Sequence, residues 1–172
     1  MKRSEPMTDS NQNKDNQDDV SLYEKMVSQT EELVGSGRKT LDEALKRVQD
    51  DWSSAGNFTR EQSEKISTYV KRDIQHIVDS ASKGKTNVKE AVDPKRIGVG
   101  AKSIFSRILS NTAETLGDWA KKSEGNLEFK TGEITSPGSL TCKECGEVIH
   151  MKKTAKIPPC PKCHHTFYRK SY

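Results

Sequence analysis

The chain has 172 residues, of which 31% are hydrophobic and 31% are charged, enough for one modest domain with a small appendage. Even with its 11 glycines added, the apolar share stays below the roughly 45–50% of an ordinary globular domain, so part of the chain is expected to be disordered. The sequence contains no run of about 20 apolar residues that could span a membrane and no apolar stretch after Lys2-Arg3, which predicts a cytoplasmic protein.

The first part of the chain predicts a polar tail followed by a helix. Residues 1–18 are rich in Asn, Gln, Asp and Ser and cannot bury enough apolar surface to offset the entropy of ordering, which predicts a disordered tail. From Asp19 onward apolar residues recur at helical spacing. This pattern predicts a first helix at about 20–34, capped by Asp19 and ended by Gly35.

Two capping boxes predict the starts of two further helices. Thr40 is followed three residues later by Glu43, and Thr59 is followed at the same distance by Gln62. Together with the first helix they predict a three-helix hairpin or bundle at 19–81. The apolar face of these two helices is expected to comprise Leu41, Ala44, Leu45, Val48, Trp52, Ile66, Tyr69, Val70, Ile74, Ile77 and Val78.

The remaining chain changes character twice. Residues 82–100 contain three Gly, one Pro and five Lys or Arg with little periodicity, which predicts a basic loop. Helical periodicity returns in a predicted fourth helix at 101–122. From 125 to 172 the pattern favours a small β domain with strands near 127–130, 147–151 and 166–169, separated by Gly- and Pro-containing turns.

All four cysteines lie in this last segment, in two pairs with the spacing of a metal site. Cys142 and Cys145 form the first pair, and Cys160 and Cys163 form the second. The two cysteines of each pair can lie on one tight turn and offer two thiolates, so that the two turns together bind a single ion. The sequence therefore predicts a zinc ribbon holding one structural Zn²⁺, and a fold that is mainly α, with about four amphipathic helices followed by a C-terminal β ribbon.

Four thiolates fill a tetrahedral shell, so the ion is expected to support folding and to leave no open position for a substrate. Gly146 suits the left-handed conformation at the end of the first turn, whereas His164 occupies the matching place in the second turn and is expected to be somewhat strained. Alternatives remain at this point, one of which is a pair of disulfides if the chain were secreted. The turns also resemble those of iron-binding rubredoxins, and Cys-Pro-Lys-Cys is similar to a thiol–disulfide motif.

The motifs together resemble one family. Residues 56–61, Gly-Asn-Phe-Thr-Arg-Glu, and the Thr-Gly-Glu lead-in to the first cysteine pair at 131–142 are similar to the bacterial YbeL-like zinc-ribbon proteins. The resemblance runs from about Tyr23 to Tyr168 and implies a helical region before a ribbon, with the metal ligands on the four cysteines. It implies no activity or substrate. The chain departs from the family in its polar tail, in its 82–100 segment and in having His164 where Gly is usual.

The charge of the ribbon suggests one kind of partner. Residues 139–172 hold seven Lys or Arg and two Glu, although four thiolates with Zn²⁺ would lower the formal charge of +5 to about +3. Because adjacent strand residues point to opposite faces, one of Phe167 and Tyr168 is expected in the core and the other exposed. The predicted contact residues for RNA or DNA are Lys152, Lys153, Lys156, Arg169 and Lys170 on phosphates, with Tyr168 or His165 stacking on an unpaired base.

A protein partner is the leading expectation, with direct nucleic-acid binding as the alternative. Long amphipathic helices with few apolar residues favour an adaptor that contacts another protein or a nucleoprotein assembly, or that pairs with a second copy through its helices. The sequence contains no Gly-rich phosphate loop, nucleophile elbow or closed acid–base set, so a non-catalytic protein is expected.

Overall fold

The computed structural model describes residues 9–36, 40–56, 58–82 and 127–171. Within these ranges the chain forms three helices followed by an antiparallel β region that contains all four cysteines. The predicted order of helices and ribbon is therefore confirmed. The predicted fourth helix at 101–122 lies outside the described residues, as does the predicted basic loop at 82–100 apart from Ser82.

The first helix, α1, spans Asp9–Gly35 and begins inside the stretch predicted to be a disordered tail. Its second half is anchored by buried side chains from Leu22 onward. Once a helix is anchored, each added residue gains one backbone hydrogen bond, so the helix can extend into polar sequence that would not form a helix alone. Asp19 is consequently a mid-helix residue and not the predicted cap.

The other two helices begin where their capping boxes predict. Helix α2 spans Leu41–Ser54, with the Thr40 N–H donating to Glu43 Oε2 at 2.9 Å and the Glu43 N–H donating to Thr40 Oγ1 at 3.4 Å. Helix α3 spans Arg60–Ser82, and Thr59 exchanges the same two bonds with Gln62 at 3.2 Å. Local sequence therefore determines both helix starts.

The helices share one apolar core. Its members from the helices are Leu22, Tyr23, Met26, Val27, Val34, Leu41, Ala44, Leu45, Val48, Trp52, Ile66, Tyr69, Val70, Ile74 and Ile77. Ile134 of the ribbon is buried in the same core. Among the described residues, Val148 on the ribbon is the one large hydrophobic side chain that is exposed. The described helices thus complete their core within the chain, and none of them is long and apolar enough to cross a membrane.

The ribbon contains six short strands, three more than predicted. They are β1 Phe129–Lys130, β2 Ile134–Thr135, β3 Gly138–Cys142, β4 Val148–Met151, β5 Ala155–Lys156 and β6 Phe167–Ser171. A four-stranded antiparallel sheet has the order β1-β6-β3-β4, and β2 pairs with β5 in a second antiparallel sheet. Strands β1, β4 and β6 correspond to the predicted runs, whereas β2, β3 and β5 were not predicted.

The small sheet packs the ribbon against the helices. Ile134 of β2 enters the helical core, and Lys156 of β5 forms an ion pair with Asp19 of α1 at 2.9 Å. The other half of the ribbon has a separate core beneath the four-stranded sheet, with Phe129, Leu140 and Tyr168 at its centre. The helices and the ribbon therefore pack against each other through β2 and β5.

Candidate metal centre

Two turns with the same hydrogen-bond pattern carry the four cysteines. In the first turn the Gly146 N–H donates to the Cys142 carbonyl at 3.1 Å, and in the second the His164 N–H donates to the Cys160 carbonyl at 2.9 Å. The N–H groups of Cys142 and Cys160 likewise donate to the carbonyls five residues ahead, at 2.8 and 3.0 Å. Because the pattern is the same in both turns, each turn can offer two cysteine ligands to one shared ion in an equivalent way.

Each turn ends in a residue with left-handed backbone conformation. Gly146 has φ +73°, and no atom lies within 4 Å of the position that a Cβ would occupy. His164 has φ +58° and is the one non-glycine residue of the described chain with positive φ. A side chain in this conformation costs roughly 1–2 kcal/mol, so the predicted strain at His164 is confirmed.

The four sulfur atoms converge on a single point. Cys142 Sγ lies 3.6 Å from Cys163 Sγ, Cys145 Sγ lies 3.6 Å from Cys160 Sγ, and all four lie within 4.8 Å of one another. Tetrahedral zinc with Zn–S bonds of about 2.3 Å places its sulfurs about 3.8 Å apart, whereas a disulfide requires about 2.05 Å. The cysteines are all free, and their arrangement fits zinc.

The surroundings act differently on the sulfurs. Although the backbone N–H of His165 donates to the sulfur of Cys163, burial and the neighbouring thiols raise the pKa of Cys163 to about 12, and the pKa of Cys145 is raised as well. Cys160 is shifted the other way. Burial opposes ionisation of Cys160, but the backbone N–H groups of Cys163 and Lys162 donate to its sulfur and lower its pKa to about 7. Cys142 and Cys160 are buried, whereas Cys163 is exposed. Bound zinc would cross-link the two turns and leave no coordination position open, as the sequence predicts for a structural site.

The structure separates the predicted nucleic-acid contact residues into three groups. Tyr168 and Lys170 are buried, so they are corrected here from surface contacts to core residues. Lys156 forms an ion pair with Asp19, which neutralises its charge. Those that reach solvent are Lys152, Lys153 and Arg169, with His165 partly buried.

Lys170 is buried because the ribbon itself and α3 together supply a complete set of partners for its ammonium group. Its Nζ donates to Thr135 Oγ1 at 2.8 Å, to the Ser136 carbonyl at 2.8 Å and to Ser136 Oγ at 2.7 Å. An ammonium has three N–H bonds, so all three are satisfied. The carboxylate of Asp73 in α3 lies 3.5 Å from Nζ and balances the charge.

Asp73 is equally well satisfied from three directions. Its Oδ2 accepts hydrogen bonds from the Tyr23 hydroxyl at 2.8 Å, the Ser136 N–H at 2.6 Å and Thr135 Oγ1 at 3.0 Å. Burial alone would raise the pKa of Asp73, but the charges of Lys170 and Arg72 and these donors hold it below its ordinary value. We call Asp73, Lys170, Tyr23, Thr135 and Ser136 the docking network, because it joins α1 and α3 to the ribbon.

Arg72 extends the docking network to the edge of the interface. Its guanidinium donates to the Ile134 carbonyl at 3.0 Å and pairs with Glu133, and its Cζ lies 4.1 Å from the centroid of the Phe129 ring. Stacking on an aromatic ring suits the weakly hydrated guanidinium group. The residue thus binds both the loop before β2 and the aromatic core beneath the sheet.

His76, one turn further along α3, packs beside the docking network. Its ring meets the Phe129 ring edge to face at a centroid distance of 5.5 Å. Burial and the nearby charge of Lys170 lower the pKa of His76 to about 4, against the opposing effect of Asp73. His76 is therefore neutral near pH 7 and belongs to the interface between helix and ribbon.

Sequence reasoning missed the docking network, although one signal pointed to it. In a strand, residues two apart share a face, so a buried Tyr168 implies that Lys170 also points inward. A lysine on an inward face needs a buried carboxylate, and Asp73 lies among the apolar residues Val70, Ile74 and Ile77 of α3. The pairing of these two residues depends on how the ribbon packs against the helices.

Comparison with known proteins supports a zinc-ribbon site, in agreement with the convergence of the four cysteine sulfurs. A family described as "Zinc-ribbon containing domain" matches residues 16–171. The chain belongs to this family. It is 20% identical to "Uncharacterized protein YbeL" of Escherichia coli strain K12 over 154 residues, which are 88% of this chain and 94% of that protein.

The proteins of the same name from Escherichia coli O6:H1 and O157:H7 match with the same identity and coverage. No solved structure matches. The matched range contains all four cysteines, so membership of a zinc-ribbon family and the convergence of the sulfurs both support zinc binding. The resemblance to YbeL-like zinc-ribbon proteins is confirmed.

Proposed function

We propose that the protein is a non-catalytic zinc-ribbon adaptor that contacts another protein or a nucleoprotein assembly. The convergence of four cysteine sulfurs carries this proposal, because a shell of four thiolates leaves the metal without a position for water or substrate. The ion then cross-links the two cysteine turns and stabilises the ribbon, as a staple would. The protein must therefore act through the surfaces of the zinc-stabilised ribbon and of the helices.

The buried charges support binding over catalysis. Asp73 and Lys170 have the perturbed pKa values that active sites often show, but both side chains are 0% exposed and no substrate can reach them. Their hydrogen bonds are made to the protein itself. They serve to hold the ribbon in one orientation on the helices, which an adaptor with two contact surfaces requires.

The helices offer a groove as a partner surface. A groove of about 720 Å³ lies between α2 and α3, and Leu45 is the apolar residue among those that line it. Lys71 of α3 pairs with Asp42 of α2 across it at 2.6 Å, with both side chains about half exposed. Exposed ion pairs of this kind exchange partners at little cost, so the groove suits a polar, charged protein segment.

Recovery of the tagged full-length protein from its own cells, with and without nuclease, tests the proposal. We expect a defined set of proteins to be recovered with the unchanged chain and lost with Cys160→Ser, because the ribbon is then no longer stapled. The matched control is Glu144→Gln, which changes an exposed residue of the other cysteine turn and should retain the set. Recovery of the same proteins with an unrelated tagged protein, or equal recovery with Cys160→Ser, would overturn the proposal.

A further inference from the structure

The four-stranded sheet has two faces of different chemistry. Strand alternation places Phe129, Leu140 and Tyr168 on the inner face, where all three are buried. We define the outer face by the residues that alternate with them. They are Lys130, Ser139, Thr141, Val148, His150, Phe167, Arg169 and Ser171.

The strand register brings an aromatic ring and two cations together on the outer face. Lys130 of β1 lies directly opposite Phe167 of β6, with its Nζ 5.6 Å from the centroid of the ring. Arg169 follows two residues after Phe167 on the same strand and is exposed. The ring of His165 lies 5.9 Å from the Phe167 ring at an angle of 51°. Phe167 thus has Lys130 beside it on the neighbouring strand, the His165 ring next to it, and Arg169 two residues further along its own strand.

The charge of the outer face is of one sign. None of its eight members is a carboxylate, and Glu128, which precedes β1, is paired with Lys143. Lys130 and Arg169 form no ion pair with any carboxylate of the described residues. By contrast, Lys156 and Lys170 are neutralised by Asp19 and Asp73. The positive charge of the ribbon sheet is therefore concentrated on its outer face.

We propose that the outer face binds single-stranded nucleic acid, with bases stacking on Phe167 and His165 and phosphates contacting Lys130 and Arg169. Stacking rings flanked by cations are the elements by which proteins hold single strands without reading their sequence. Aromatic rings on a sheet surface suit unpaired bases, because a duplex keeps its bases stacked on each other. This inference rests on the proposed function, since it names the partner of the ribbon within a nucleoprotein assembly.

The outer face fits a nucleic acid better than an acidic protein. Protein interfaces are anchored by apolar side chains that enter pockets, and Val148, 43% exposed, is the sole large exposed hydrophobic residue of the described chain. Apart from Phe167, and from His150, which hydrogen-bonds Ser139 at 2.9 Å, the remaining members are hydroxyl-bearing or cationic. Hydroxyl groups and cations are the usual partners of phosphate and sugar oxygens.

Fluorescence anisotropy of the zinc-loaded full-length protein tests the proposal, with a labelled oligouridine of about 15 nucleotides as the probe. We expect salt-dependent binding that Phe167→Ala weakens by roughly tenfold. Phe167→Tyr should retain it, because the ring face remains. Arg169→Ala and Lys130→Ala should each weaken binding and lower the salt dependence by about one phosphate contact.

Lys65→Ala is the matched control, because it removes an exposed lysine of α3, outside the ribbon. A loss of affinity with Lys65→Ala as large as with Arg169→Ala would overturn the proposal, as would the absence of salt-dependent binding by the unchanged protein. Tighter binding of an acidic peptide than of oligouridine would do the same. Zinc content and thermal unfolding establish that each variant is folded. If protein partners still depend on Cys160 while oligouridine does not bind, the proposed function stands and this inference fails.

Discussion

The carboxylate of Asp73 in α3 and the ammonium of Lys170 in β6 lie 3.5 Å apart with both side chains fully excluded from solvent. Burial lowers the pKa of Lys170 to about 8 even though Asp73 opposes the shift, so the lysine is charged near pH 7. Moving both charges out of water is costly, and their shared hydrogen bonds to Thr135 and Ser136 offset that cost. The pair fixes how the ribbon sits on the helices.

Removing both members of this pair should cost less than the sum of removing each one alone. Lys170→Met removes the buried ammonium and leaves Arg72 as the remaining cationic partner of Asp73, so the free energy of unfolding is expected to fall by up to about 3–5 kcal/mol. Asp73→Asn with Lys170→Met should cost clearly less than the sum of the two single changes. Urea unfolding of the zinc-loaded proteins measures all of these changes.

Lys153→Met provides the control, since this exposed lysine should contribute no more than about 0.5 kcal/mol. If Lys170→Met cost no more than Lys153→Met, or if the two single changes simply added in the double variant, the docking network would not hold the ribbon to the helices.

Substitutions of the left-handed residues that end the two metal-binding turns, His164 and Gly146, should change the free energy of unfolding in opposite directions. His164→Gly removes a side chain from a left-handed backbone and should raise the free energy of unfolding by about 0.5–1 kcal/mol, after the greater entropy of glycine in the unfolded chain is subtracted. Gly146→Ala introduces such a side chain and should lower it by about 0.5–1 kcal/mol, because the smaller entropy of alanine in the unfolded chain offsets part of the strain. Open space surrounds Gly146, so a clash would not explain the loss. Thermal unfolding that shifts in the same direction for both variants would contradict this account.

Acid should weaken the interface through His76. Its pKa is about 4 in the folded protein and 6.5 as an ordinary histidine, so between these values the unfolded chain holds a proton that the folded chain lacks. Stability is therefore fully present above pH 6.5 and falls as the pH is lowered to about 4, by at most about 3 kcal/mol. The measurement is urea unfolding at a series of pH values.

His76→Gln should remove this part of the pH dependence, whereas His150→Gln on the exposed β4 strand should retain it. Comparing each variant with the unchanged protein at the same pH cancels the common effects of carboxylate titration and metal loss. Equal pH profiles for His76→Gln and the unchanged protein would show that His76 does not titrate with unfolding.

The sequence predicts those features that short segments determine. The capping boxes at Thr40 and Thr59 predict two helix starts, and the cysteine spacing predicts equivalent turns with the strained residue at His164. The extension of α1 to Asp9 was not predicted, because it depends on anchoring by later residues. Strands β2 and β5 have two residues each, too few for an alternating pattern.

The position of Lys170 illustrates the other limit. Its partners come from α3 and from the residues around β2, segments that are distant in sequence and meet only when the ribbon packs on the helices. A charged residue near the end of a basic segment therefore resembles a surface contact. Strand alternation predicts correctly that Lys170 points to the inner face. The carboxylate of Asp73, which offsets the cost of burying the lysine, comes from another part of the sequence and is seen only in the tertiary structure.

Loss of one metal ligand should unfold the ribbon and leave the helices largely intact. Cys160→Ser removes a buried thiolate, and without the metal cross-link the amides of β3 and β6 should lose protection from hydrogen exchange. The amides of α2, whose core lies among the helices, should remain protected. Ser139→Ala in β3 is the control that should keep the ribbon protected. Unchanged protection of β3 in Cys160→Ser would refute the role of the metal as a staple.

The metal content of the freshly purified protein tests the central claim most directly. Elemental analysis together with a count of free thiols should give one zinc per chain and four reduced cysteines, because the four sulfurs converge on one tetrahedral site. Iron in place of zinc, a zinc content well below one per chain, or cysteines joined in disulfides would contradict the closed structural zinc centre on which the account rests.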